Sequence, residues 1–129
     1  MELNLTGLIA AISAFLGIWL GHVTVRAIER KVEKLWQPIV IALALGFALE
    51  FYSLSTVHRL LSTASGILGI TVLWDALEFV RQEKRVKKGH APANPSNSRH
   101  AQILTDYSAA TTFDLLKREP GYLGTQENR

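Results

Sequence analysis

Residues 5–25 read LTGLIAAISAFLGIWLGHVTV, and residues 26–36 behind them read RAIERKVEKLW. The first run has no Asp, Glu, Lys or Arg, and the second is crowded with Arg26, Arg30, Lys31 and Lys34. As a helix, the first run is roughly 30 Å long, which matches the hydrocarbon core of a bilayer. Leu60 to Val80 repeats the pattern, with Arg81, Lys84, Arg85, Lys87 and Lys88 following it. Pro38 to Tyr52 between them is shorter, and spans a bilayer if Leu35, Trp36 and an interfacial Tyr52 extend it. The expectation is an all-α integral membrane three-helix bundle within residues 1–88, with helices at 5–25, 36–52 and 60–80. A mostly irregular tail fills residues 89–129.

The bases also set an orientation. They lie between the first two segments and after the third, whereas the residues before Leu5 carry none and the connection between the second and third has only Arg59. The positive-inside rule then predicts the N-terminus outside and the tail cytoplasmic, in a multi-pass topology. A cleaved signal peptide is a poor reading, because Met1-Glu2 offers no basic region ahead of the apolar segment.

Whole-chain averages hide this division. A mean hydropathy of +0.15 and 48% hydrophobic residues blend an apolar portion with a polar tail. The net charge of +3 sits beside membrane segments, where anionic headgroups attract each nearby base by about 1 kcal/mol, so lipid is the expected partner and nucleic acid is not. Arg30, Lys31, Lys34, Arg81, Lys84, Arg85, Lys87 and Lys88 are the candidate headgroup-binding residues. With no cysteine, disulfide, thiolate and iron–sulfur chemistry are excluded.

Local signals refine the segments. Residues 26–36 keep a helical composition, with Arg26–Glu29 and Arg30–Glu33 spaced to pair, so helix one is expected to emerge from the membrane until Gln37-Pro38 breaks it. Pro38 would then open helix two, and Ser55 would cap helix three, making helices two and three an antiparallel hairpin. Gly89 to Ser98 reads as a linker. Beyond it the apolar residues are thinly spread, with a weak cap at Thr111 to Asp114 for one short helix at 112–118. The tail is either disordered or a docking segment, over residues 99–129, that orders on a partner or on the protein's own cytoplasmic face.

Small residues mark packing faces. Ser13, Gly17 and Gly21 recur every four residues on helix one, Ala42 and Gly46 do so on helix two, and Ser62, Gly66 and Ser65, Gly69 on helix three. Lipid gives little hydrophobic drive between helices, so close approach and interhelical hydrogen bonds must hold them, either within the bundle or to another subunit.

Helices one and three run in the same direction, which puts His22 and Arg26 at the depth of Asp75 and Glu78. A carboxylate facing lipid costs roughly 2.5 to 3.5 kcal/mol at a helix centre, so Asp75 should face protein or water. The expectation is a cluster in which Asp75 or Glu78 accepts hydrogen bonds from His22 or Arg26, acting as interhelical glue or, alternatively, as a proton or cation site. Glu50, near Tyr52, His58 and Arg59, is expected to form an interfacial pair. Trp19, Trp36 and Trp74 read as interfacial or packing aromatics.

His22 and His58 fall at opposite membrane surfaces and cannot ligate one haem within a chain, although a dimer sharing two copies of His22 stays open. No phosphate loop, nucleophile triad or metal-ligand spacing is present, so no catalytic residue, metal ligand or cofactor is assigned.

The run Gln82-Glu83-Lys84-Arg85-Val86-Lys87-Lys88-Gly89, continuing through Pro92 to Asn94-Pro95, resembles the signature of a small bacterial inner-membrane family of unknown function. Asn4 to Leu8, Gly21-His22 and Ser65 to Gly69 leading to Trp74 and Glu78 are similar to the same family. Val23 stands where that family has Pro, and His90-Ala91 where it has an aromatic pair. The resemblance covers about Asn4 to Pro95, with the tail after Ser96 as an extension; it implies a compact helical protein of the bacterial inner membrane and no activity. Residues and resemblance together point to a non-catalytic membrane protein, either an accessory subunit of a larger complex or a self-associating bundle. The alternative is an oligomeric transporter or channel component using His22 and the intramembrane carboxylates.

Overall fold

The computed structural model describes residues 3–117. Among these, the chain forms α1 (Leu5–Lys31), α2 (Trp36–Ser55), α3 (Arg59–Lys87), α4 (Ser98–Asp106) and one 3-10 turn (Leu115–Lys117), with no strand. The first three helices are long and apolar enough to cross a membrane.

Each long helix outruns the apolar segment that announced it. Asn4 caps α1, its Oδ1 accepting from the Gly7 amide at 3.2 Å. The helix leaves the apolar run and continues to Lys31, where Val32 turns extended. The break therefore falls earlier than Gln37. A proline clashes with the carbonyl four residues before it, which here belongs to Lys34, so no continuous helix can pass from Lys34 to Pro38. Inside the first turn of α2, Pro38 costs nothing, because amides there lack helical acceptors anyway.

At the other end, α2 runs on to Ser55. Ser55 is thus the last residue of α2 and not the cap of α3; its hydroxyl donates to the Phe51 carbonyl at 2.7 Å. Thr56 to His58 make the turn, and the His58 carbonyl accepts the Ser62 amide at 2.9 Å.

The described residues divide into two compact units, one up to Glu83 and one from Lys84 onward. In the first, α3 is the common partner. A step of four along α1, Gly17 to Gly21, is matched by a step of four in the same direction along α3, Thr71 to Asp75. From Gly46 through Glu50 to Ser53 on α2, the α3 partners fall from Leu73 through Gly69 to Gly66, so this pair is antiparallel. Val25, Ala42, Ala76 and Phe79 form the buried cluster where all three helices meet, with Leu35, Ile39 and Val72 against it. Large apolar side chains cover the outside, including Phe15, Phe47, Phe51 and Leu54.

The second unit is more ordered than a linker and loose tail. Gly89, at φ +75°, ends α3 with a left-handed residue. Its amide reaches the Val86 carbonyl at 3.1 Å and the His90 amide reaches that of Arg85 at 2.8 Å, the two bonds of a Schellman cap. The Ala93 amide then bonds the Thr111 carbonyl at 2.8 Å, and Asn97 caps α4 by accepting from the Arg99 amide at 2.9 Å. Val86, Ala93 and Ile103 make a small core. His100 is fully buried, and its Nδ1 accepts from the Asn94 amide at 2.9 Å. Short polar caps and one fixed histidine do what the sparse apolar residues could not do alone. Thr111 and Asp114 do act as local acceptors, for the Phe113 and Leu116 amides, but what they organise is the 3-10 turn at Leu115–Lys117. Of the expected 112–118 helix, residues 112–114 are not helical, only Leu115–Lys117 form a turn, and Arg118 lies outside the described residues.

Candidate functional site

The polar residues of the first unit are set by two helix seams. On α1 the buried positions are Ser13, Gly17, Gly21, Val25 and Glu29, a stripe at four-residue spacing. The stripe extends beyond the Ser13–Gly21 face through Val25 to Glu29, which is only 1% exposed and has partners in the fold. Where Gly17 and Gly21 lie, an added Cβ would sit 2.5 Å from Thr71 Oγ1 and 2.5 Å from Asp75 Oδ1. The missing side chains are therefore what bring α3's polar groups against α1. Thr71 satisfies its own hydroxyl by donating to the Leu68 carbonyl at 2.8 Å.

His22, Asp75 and Glu78 line one cleft of about 390 Å³, with Trp74, Thr71 and Ile18 beside them. Glu78 is buried, and its Oε1 accepts from Arg81 Nη1 at 3.0 Å within α3. The same guanidinium lies 4.8 Å from the Trp74 ring centre, so one arginine neutralises a carboxylate and covers an aromatic face. Arg26 belongs elsewhere, in a groove along α1 shared with Trp19, His22, Val23 and Arg30. Three of the four expected cluster residues thus face one cleft, the fourth lies in the neighbouring groove, and Arg81 supplies the ion pair. Arg81 was legible only as a headgroup base, although its spacing three residues beyond Glu78 was a signal.

The α2–α3 seam is built from Gly46, Gly66 and Gly69. A Cβ at Gly46 would stand 2.6 Å from Leu73 Cγ, at Gly66 2.8 Å from Ser53 Oγ, and at Gly69 2.6 Å from Glu50 Oε1. Glu50 therefore leans over Gly69. Its Oε1 is buried without a hydrogen-bond partner, in place of the interfacial pair expected near Arg59. Next to it, Ser53 Oγ donates to the Ser62 carbonyl at 2.7 Å and Ser62 Oγ donates to the Ser53 carbonyl at 2.8 Å. Hydrophobic periodicity does not announce this reciprocal clasp, yet the two serines stand symmetrically about the turn, which in an antiparallel hairpin places them opposite each other.

A wider cleft of about 820 Å³ lies between α1 and α2 and is floored by α3. Of the expected headgroup residues, Arg30, Lys31, Lys34, Arg81, Lys84 and Lys88 are exposed, and Arg85 and Lys87 are half-buried. Lys87 Nζ lies 5.3 Å from the Tyr107 ring centre. No group of three or more His, Asp or Glu side chains placed to hold a metal ion occurs among the described residues.

Residues 4–97 match a family model described as a domain of unknown function (DUF4491). No curated protein and no solved structure is significantly similar to the chain.

Proposed function

Because the chain belongs to the DUF4491 family, a membership that carries no activity with it, we propose from its own residues a non-catalytic integral protein of the bacterial inner membrane. Its N-terminus is outside and its C-terminus cytoplasmic, as the bases at Arg26 to Lys34 and Arg81 to Lys88 favour. It serves as an accessory subunit of a larger membrane complex or as a self-associating bundle, with residues 99–129 available to a cytoplasmic partner.

The observation supporting this reading is how the interior is used. Glycines and hydroxyls close both seams against α3, so most polar groups inside are committed to helix packing. A second reading has its own support: His22, Asp75 and Glu78 share one cleft, and several copies would line a proton or cation path with them.

Affinity purification in a mild detergent with mass measurement separates the two. Unrelated membrane subunits recovered in fixed stoichiometry support the accessory role. A uniform homo-oligomer, whose cation or proton flux in vesicles is lost in Asp75→Asn, supports the path. A lone monomer with no flux removes both.

A further inference from the structure

We infer that the cleft between α1 and α2 holds one anionic phospholipid, its acyl chain against the apolar walls and its phosphate at Lys31 and Lys34. The inference rests on the membrane-embedded reading above, which places the α1–α2 turn in the anionic cytoplasmic leaflet.

The walls supply the first half of the argument. At the α1–α3 and α2–α3 seams glycines bring the helices into close contact, whereas between α1 and α2 they leave about 820 Å³. The facing residues are large and apolar, and Leu20, Val40, Ile41 and Leu45 are each about half exposed or more. A groove of that chemistry in a bilayer is filled by hydrocarbon.

The mouth supplies the second half. The cleft ends at Val32, Trp36 and Gln37, in and beside the turn that joins α1 to α2. Lys31 and Lys34 flank Val32, are exposed, and make no ion pair among the described residues. Trp36 adds an aromatic suited to the interface, and Gln37 an amide donor. Unpaired cations on either side in sequence of Val32, which lines the end of an apolar slot, suit an anionic amphiphile, and basic pockets between membrane helices on the cytoplasmic side bind acidic headgroups. Asp75 on the floor does not oppose this. It lies against Gly21, about 11 residues or roughly 16 Å along α1 from Val32, well below the phosphate. A second copy in the same orientation is a poorer occupant, since it would bring its own basic turn to the same depth.

The full chain in detergent, titrated with phosphatidylglycerol or phosphatidylcholine of identical acyl chains and read by native mass spectrometry, provides the test. One phosphatidylglycerol should bind about 30-fold more tightly than phosphatidylcholine, from two bases at about 1 kcal/mol each. Lys31→Gln with Lys34→Gln should abolish the preference, and Lys88→Gln should leave it. Leu45→Trp, which fills the slot, should weaken both lipids. Equal binding of the two lipids, a preference surviving the lysine changes, binding indifferent to Leu45→Trp, or a dimer that excludes lipid would each overturn the inference. A chain that stays monodisperse without amphiphile overturns the membrane reading as well, whereas an amphiphile-dependent chain without lipid preference overturns this inference alone.

Discussion

Gly89 and the membrane glycines omit a side chain for different reasons. At Gly17 an added methyl would meet Thr71, whose Cβ and Cγ2 also stand 3.1 Å away, and at Gly21 it would meet the Asp75 carboxylate, which can turn away. At Gly46 it would meet Leu73 and, 3.1 Å away, the Gly69 carbonyl oxygen, which belongs to the backbone and cannot. Gly89 has both problems: its φ is +75°, and its Cβ would collide with the Ala109 carbonyl oxygen. A left-handed residue with a side chain costs about 1 to 2 kcal/mol before any collision. Gly89→Ala should therefore destabilise the second unit by at least about 2 kcal/mol. Hydrogen exchange would show it as lost protection at the His90, Ala93 and Tyr107 amides; unchanged protection would mean that the cap does not hold this unit together.

Helices end where backbone groups find new partners. The carbonyls in the last turn of α2 lack helical donors, and Ser62 Oγ supplies one to the Ser53 carbonyl. The return bond from Ser53 Oγ makes the end of α2 and the start of α3 depend on each other. Ser53→Ala and Ser62→Ala, measured by unfolding in detergent, should each cost about 0.6 kcal/mol and not above about 1.7 kcal/mol, and a double-mutant cycle reads how far the two bonds are coupled. Additive effects would show the two bonds to be independent of each other. On α4, the same economy appears at Asn97, whose side chain caps the helix while the neighbouring Asn94 amide is taken by His100. Such caps escape a search for hydrophobic periodicity because each depends on one side chain meeting one amide.

At the scale of the molecule, the distribution of apolar surface favours lipid over water as the solvent of the first unit. Its buried cluster is small, while Phe51 is 74% exposed and Val57 94%. Soluble monomers rarely carry large contiguous apolar surface. The chain has no cysteine, so single introduced thiols map its orientation cleanly. In intact cells, Val57→Cys should react with an impermeant maleimide from outside, and Lys34→Cys only after the membrane is opened. The reverse pattern would invert the topology and move the Lys31–Lys34 mouth to the outer leaflet.

Composition alone fixed the number and apolar character of the long helices but not where they end, because an apolar run long enough to cross a bilayer satisfies its backbone as a helix when no water is present, whereas α1 and α3 continue well past theirs. Four-residue spacing likewise made the Ser13–Gly17–Gly21 face legible, since that period is a property of the helix itself. Which partner met each face was a matter for the tertiary structure. Thr71 and Asp75 against α1, Glu50 over Gly69, the serine clasp, Arg81 as the partner of Glu78, and the capped unit around His100 all depend on helix rotation and on where α2 begins and ends. A helical sequence specifies which residues share a face, but the angle at which that face meets its neighbour is set by close packing among all three helices at once.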